Sequence, residues 1–180
     1  MFHSFEAMGL WDATERESNM LDGGAHFYDT YECADGEYIS IGSIEPQFYA
    51  LLKERAGLTE EDFGAQNDQS QWSEMKEKLT TVIKQKTQAQ WSEIMEGTDV
   101  CFAPVLNFLD APKHPANIAR NTYIEVDGLV QPAPAPRFGR TPSEVRHGGH
   151  DVGQDTDAVL TEMGFGEQEL AGLRADGSIV

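Results

Sequence analysis

Glu45 stands in a setting that could give its carboxylate a chemical task. The next residue is Pro46, and apolar residues at helical spacing follow it, so the sequence predicts a helix over residues 46–56. A residue before proline is held extended, and a negative charge at a helix start interacts favourably with the helix dipole. Glutamate is not a preferred capping residue. Taken alone, this setting is typical of an ordinary exposed acid, so Glu45 is a candidate only by its position.

Other residues of suitable chemistry stand in weaker patterns. His147 and His150 are three positions apart in a glycine loop, which fixes no metal geometry without a third ligand, so we predict no metal site there. The pair Gly23–Gly24 could approach a phosphate, but no P-loop lysine or hydroxyl follows, and a turn is favoured. Arg137 and Arg140 could bind a phosphate or carboxylates, and docking of their own segment is the favoured interpretation.

The charge of the chain is strongly and unevenly negative. The net charge is −18, yet residues 113–150 hold five lysines and arginines against three acids, which leaves −20 on the remainder. Such a chain repels phosphate backbones and anionic lipids, so we expect neither nucleic acid nor a membrane as a partner. An anionic ligand or acidic surface would fit best at residues 113–150.

Length and cysteine use indicate an ordinary intracellular domain. A chain of 180 residues fits one domain, or one domain with a tail. No run of about 18 apolar residues suggests a membrane span, and the first residues turn acidic where a signal peptide would be apolar. Cys33 and Cys101 lack CxxC spacing and nearby histidines, so we expect two buried thiols rather than a zinc site or disulfide framework. We expect a cytoplasmic location.

The first part of the chain predicts a hairpin followed by helices. Residues 1–24 are interpreted as a connector that ends in a glycine turn, and Asp35–Gly36 between two β-prone runs predicts a hairpin over residues 25–42. An apolar stripe from Trp72 to Ile83 predicts a core helix, and Thr87 with Gln90 forms a capping box for the next one. The apolar run 100–106 contains a proline and therefore predicts an edge strand.

The last part of the chain is rich in proline. Six prolines between residues 112 and 142 favour extended backbone, with a possible strand at 123–126 and two short helices near the C-terminus. The predicted fold class is α+β: an antiparallel hairpin-based sheet with helices on one face, then a proline-rich extended arm and short C-terminal helices. We predict a connector over residues 1–24, a small α+β domain over 25–110 and the arm with its helices over 111–180.

Leu21 to Phe48, LDGGAHFYDTYECADGEYISIGSIEPQF, resembles the α-methylacyl-CoA racemases of CoA-transferase family III, the CaiB/BaiF type. The resemblance continues over WSEIMEGTDVCFAPVL, HPANIAR, PAPRFGRTP and GQDTDAVLTEMGF. It implies that the chain corresponds to the C-terminal small-domain portion of such an enzyme, which epimerises 2-methylacyl-CoA in fatty acid metabolism. His26 is a departure, because the family usually has proline there.

The resemblance carries one functional residue into this chain. In the family the catalytic histidine and aspartate and most CoA-binding residues belong to a large domain outside the match, whereas the glutamate of IEPQF, here Glu45, lies near that histidine and orients or charges it. No cofactor is implied beyond the coenzyme A of the substrate. The resemblance also implies a homodimer, or association with a large-domain chain, and an apolar surface left open near Phe27, Tyr31, Ile44 and Phe48.

Other functions remain open on the sequence. A CoA-transferase of the same superfamily would use an aspartate nucleophile, and its deciding residues would lie outside this chain. A non-catalytic module that completes a separately encoded large domain is an alternative of another class. A fragment of a longer enzyme, inactive by itself, is the third.

Overall fold

The computed structural model describes residues 2–180, and the chain divides into two compact units, residues 2–107 and 108–180. The first unit contains, in chain order, α1 Phe2–Ala7, β1 Tyr28–Glu32, β2 Tyr38–Gly42, α2 Pro46–Ala56, α3 Glu60–Phe63, α4 Trp72–Ile83, α5 Gln88–Met95 and β3 Phe102–Val105. None of the helices described for residues 2–180 is long and apolar enough to span a bilayer.

The sheet of the first unit is antiparallel in the order β1-β2-β3, with Tyr31 opposite Ile39 and Ile39 opposite Pro104. The predicted hairpin and the predicted edge strand are therefore confirmed. The hairpin turns at Gly36, whose φ of 82° lies in the left-handed region that glycine adopts without steric cost. Pro104 is tolerated because β3 has a neighbour on one side only.

One face of this sheet forms the core. Tyr31, Ile39 and Ile41 share that face and are buried with the apolar stripes of α4 and α5. The opposite face, which carries Thr30 and Ser40, is not part of the buried core. The prediction of helices on one face of an antiparallel sheet is confirmed. The helical residues buried in this core are Tyr49, Leu52, Phe63, Trp72, Met75, Leu79, Ile83, Trp91 and Met95.

Helix signals were reliable where a stripe or a cap was present. The helices α2 and α4 occupy the predicted residues, and both hydrogen bonds of the predicted capping box at Thr87 are formed. The short helices α1 and α3 were not predicted. With four to six residues they are too short to show a helical period in the sequence.

The second unit contains a hairpin and three helices among its described elements. These are α6 Pro115–Ala119, β4 Tyr123–Val126, β5 Leu129–Pro132, α7 Thr156–Glu162 and α8 Glu167–Ala175. The strand β4 was predicted, but its partner β5 was not, although Asp127–Gly128 between them is the same turn signal as Asp35–Gly36. Both turn residues have positive φ, 52° and 80°.

Two expectations about burial were wrong. Cys101 is exposed, because it lies just before the edge strand β3, whereas Cys33 is buried as expected. Phe27 and Tyr31 were expected near an open apolar surface, but they have 0% and 3% exposure. Phe27 lies inside a cluster of aromatic rings, and Tyr31 points to the core face of the sheet.

Candidate functional site

Glu45 occupies the N-cap of α2 with an exposed side chain. Its φ of −71° and ψ of 144° are extended, as expected before Pro46, and its backbone carbonyl accepts the first helical hydrogen bond from Tyr49 N at 3.0 Å. Its carboxylate makes no capping hydrogen bond. The helix start therefore uses the backbone of Glu45 and leaves its carboxylate available to another group.

The segment before Glu45 is tied to the residues that lead into β3. Gly42 N donates a hydrogen bond to the carbonyl of Cys101 at 2.9 Å, and the buried hydroxyl of Ser43 donates to the carbonyl of Val100 at 2.5 Å. These bonds join residues nearly sixty positions apart in the chain. They bring Cys101, whose backbone has a positive φ of 60°, beside the segment that leads into α2.

Gln66 holds the same segment from the other side. Its carboxamide nitrogen donates to the carbonyls of Ser43 at 3.1 Å and Ile44 at 2.8 Å, the two residues directly before Glu45. The side chain is buried in a turn between α3 and α4. Sequence reasoning missed Gln66, since a glutamine in a polar, turn-rich stretch carries no signal of burial.

Glu45 and Cys101 are electrostatically coupled. Burial raises the pKa of the Cys101 thiol, and the negative charges of Glu45 and Asp99 raise that pKa further. Salt screens exposed charges that are more than about 8–10 Å apart, so such an effect on a thiol is short-ranged. Glu45, the candidate residue, is thus one of the two acids whose charge acts on the Cys101 thiol.

His26 is fully buried and packs within the core of the first unit. Its Nε2 lies 2.8 Å from the hydroxyl of Tyr49, while Nδ1 is buried without a hydrogen-bond partner. Burial lowers its pKa to about 4, so the ring is neutral near neutral pH. His26 thus makes a buried polar contact within the core.

The remaining candidate residues lie in places that do not form a site. The rings of His147 and His150 stack with centroids 3.9 Å apart, and the Nδ1 atom of His150 bonds to Asp155 at 2.5 Å. In the described part of the chain, no three histidine, cysteine or carboxylate side chains are arranged to hold a metal ion. Arg137 donates to the backbone carbonyl of Asn121 at 2.7 Å.

The glycine turn has a packing explanation. A Cβ atom on Gly24 would lie 2.6 Å from the carbonyl oxygen and 2.7 Å from the nitrogen of Asn19. Both are backbone atoms that cannot move aside cheaply. Glycine is therefore required at this position by close contact between two chain segments, with no phosphate needed to account for it.

Comparison with known proteins identifies the family. The model of the family described as CoA-transferase family III matches residues 2–156, which is most of the chain. The chain belongs to CoA-transferase family III. Among curated relatives, the α-methylacyl-CoA racemase of Mus musculus is 46% identical over 175 residues, which are 95% of this chain and 45% of that protein. The Homo sapiens protein of the same name is 41% identical over 174 residues, with the same shares of the two chains.

The chain spans a little under half the length of these curated racemases. Solved structures show the same fold at greater distance. Two crystal structures of the protein Rv3272 from Mycobacterium tuberculosis match with TM-scores of 0.56 and 0.59 at 18% and 17% identity. They cover 67% and 73% of this chain and 34% and 38% of theirs. This chain therefore shares its fold with these structures over the matched part, and in this chain Glu45 lies at the start of α2.

Proposed function

We propose that this chain is the Glu45-bearing part of an enzyme that epimerises 2-methylacyl-CoA thioesters at the α-carbon. The sequence identity of 46% to the mouse α-methylacyl-CoA racemase over nearly the whole chain carries the proposal. The exposed carboxylate of Glu45, free of any capping bond, supports it because such a group is open to an acid/base residue of another domain.

The chemistry requires proton exchange beside a thioester. The carbonyl of the thioester acidifies the α-carbon, so one basic group removes the proton to give an enolate and an acid on the opposite face returns one. Hydrogen-bond donors stabilise the enolate oxygen. No metal or redox cofactor is required for this exchange, and coenzyme A enters as part of the substrate.

Glu45 has a supporting part in this scheme. A carboxylate beside an imidazole favours the protonated ring and fixes its orientation, so Glu45 would act on the histidine of the large domain. It would not itself remove the proton. The large domain would come from the same polypeptide or from a partner chain, and the family resemblance favours assembly as a dimer.

The test compares two acid-to-amide changes in a protein that joins this chain to a large domain of the family. Glu45→Gln should lower the rate of α-proton exchange about tenfold or more and alter its pH profile, since the amide no longer favours imidazolium. Glu54→Gln, an exposed acid later in α2, is the matched control. Exchange is measured by NMR in deuterated water, and equal rates for both variants and wild type would remove Glu45 from the site.

The chain by itself should be inactive. We expect no exchange of the α-proton of a 2-methylacyl-CoA with this chain alone, because the acid/base pair of the family lies in the large domain. Addition of that domain should restore exchange. Turnover by the isolated chain would contradict this assignment of the catalytic groups.

CoA transfer is the second candidate, favoured by the description of the matching family. A transferase would move coenzyme A between two acids, with the carboxylate of an aspartate as the nucleophile. Mass spectrometry of an acyl-CoA incubated with a second, isotopically labelled acid distinguishes the two. Labelled thioester without α-deuteration would favour the transferase over the racemase.

A further inference from the structure

One buried side chain, that of Gln66, binds both carbonyls directly before Glu45. The carboxamide nitrogen of Gln66 has two protons, and it places one on the carbonyl of Ser43 and the other on the carbonyl of Ile44. Gln66 is 8% exposed and Ser43 is 0% exposed. Because a buried carbonyl without a hydrogen-bond partner is costly, this amide favours one path of the chain into α2.

Gln66 is itself held by the core. The indole nitrogen of Trp72 donates to the backbone carbonyl of Gln66 at 2.8 Å. The Trp72 ring packs edge-to-face on Phe27, with centroids 5.9 Å apart. Gln66 therefore connects the core, through its backbone carbonyl, to the segment before Glu45, through its side-chain carboxamide.

The opposite side of that segment is fixed as well, through Ser43 and the carbonyl of Val100 at 2.5 Å. Residues 43 and 44 are therefore held from two directions by contacts distant in sequence. Pro46 restricts the backbone of Glu45 on its other side. The N-cap geometry of α2 follows from these three restraints rather than from any bond of the Glu45 side chain.

We infer that Gln66 is a positioning residue for Glu45. It holds the backbone from which the carboxylate projects and does not touch the substrate. The catalytic consequence rests on the function proposed above for Glu45. A displacement of about 1 Å in a catalytic arrangement can reduce the rate on the order of a hundredfold. Loss of the two Gln66 bonds to Ser43 and Ile44 should therefore lower turnover by shifting the backbone of Glu45.

The structural claim is tested on this chain by amide hydrogen exchange. Gln66→Met keeps the size of the side chain and removes both donors. The backbone amide of Tyr49 donates the first helical hydrogen bond of α2 to the carbonyl of Glu45. Gln66→Met should speed hydrogen exchange of this amide about tenfold, relative to the backbone amide of Lys84 at the end of α4. Gln88→Met is the matched control, because Gln88 also bridges two carbonyls with one amide, at Tyr38 and Val105. Unchanged protection of Tyr49 in Gln66→Met would overturn the inference.

A measurement on the unmodified chain covers the case in which Gln66→Met does not fold. The side-chain amide protons of Gln66 should exchange at least tenfold more slowly than those of Gln88, which also bond to two carbonyls but belong to a side chain that is only partly buried. Similar rates for the two carboxamides would show that the clamp is not formed in solution, and they would overturn the inference.

The functional claim is tested by a double-mutant cycle in the protein joined to a large domain. If Gln66 acts through Glu45, Gln66→Met should lower kcat about tenfold with little change in KM, and it should have no further effect on top of Glu45→Gln. Equal losses in both backgrounds would overturn the inference. If Glu45→Gln alone has no effect, the proposed function fails, and the exchange of Tyr49 then decides the positioning of the backbone by itself.

Discussion

His26 donates a hydrogen bond from Nε2 to the hydroxyl of Tyr49 at 2.8 Å. The direction follows from the next bond, because Tyr49 gives its one hydroxyl proton to the carbonyl of Phe63, also at 2.8 Å. Nδ1 of His26 is therefore the unprotonated nitrogen, and it has no partner. This chain of two bonds links the residues before β1 to α2 and α3, and protonation of the histidine would bury a charge and an Nδ1–H group without a partner.

The stability of the first unit should consequently depend on His26 protonation. Burial lowers the pKa of His26 from 6.5 to about 4, so its contribution is fully present above pH 6.5 and is lost as the pH falls from 6.5 towards 4. The loss amounts to about 3 kcal/mol in the free energy of unfolding. Urea unfolding monitored by tryptophan fluorescence between pH 7 and pH 4 measures it.

The control for this pH dependence is His26→Gln, which retains a donor and cannot be protonated. Carboxylates also titrate in this range, so the difference between the two proteins is the quantity to follow. The variant should lose less stability than wild type over the same interval. Parallel pH curves would show that His26 does not titrate as a buried group.

Tyr49→Phe should destabilise the first unit by about 1–3 kcal/mol. The change leaves the Nε2 proton of His26 and the carbonyl of Phe63 buried without partners, and such groups cost more than the bond that is removed. Tyr28→Phe is the control, since Tyr28 lies on the other face of the sheet, away from the bonds of His26 and Tyr49. Its effect should stay within about 0.5 kcal/mol, and a similar cost for both changes would contradict the prediction.

Thr87→Ala should cost about 1 kcal/mol, because the hydroxyl of Thr87 accepts from Gln90 N in the capping box of α5. Thr81→Ala removes a hydroxyl that bonds back to the carbonyl of Glu77 inside α4. Alanine favours a helix interior, so this control should be neutral or slightly stabilising. Thermal unfolding of the two variants side by side measures the difference, and equal values would argue against the cap.

Alkylation of Cys101 should report on the charge of Glu45. Since that charge raises the thiol pKa, Glu45→Gln should lower the pKa and speed the reaction with iodoacetamide about twofold near neutral pH. Glu54→Gln should leave the rate unchanged. Cys33 does not interfere, because it is buried and its pKa is raised to about 11 by that burial and by neighbouring acids. A rate unaffected by Glu45→Gln would place the carboxylate away from the thiol.

Local signals were sufficient for much of the secondary structure. Each of these signals affects only the few residues around it, and each lies at an element that was predicted from it. They are the Asp35–Gly36 turn, the apolar stripe of α4, the capping box at Thr87 and Pro46 at the start of α2. Asp127–Gly128 carries the same kind of signal, and it forms the turn between β4 and β5. The short helices α1 and α3 could not be found in this way, since a helix of one turn has no period to detect.

The sequence alone also predicted the extended, proline-flanked backbone of Glu45, because this property depends on adjacent residues. Only the tertiary structure decided which distant groups hold that backbone. The donors of Gln66 and the carbonyls of Val100 and Cys101 reach Ser43, Ile44 and Gly42 across more than twenty residues of chain. A polar side chain looks alike in the sequence whether it faces water or a buried carbonyl, and packing of the whole unit determines which of these occurs.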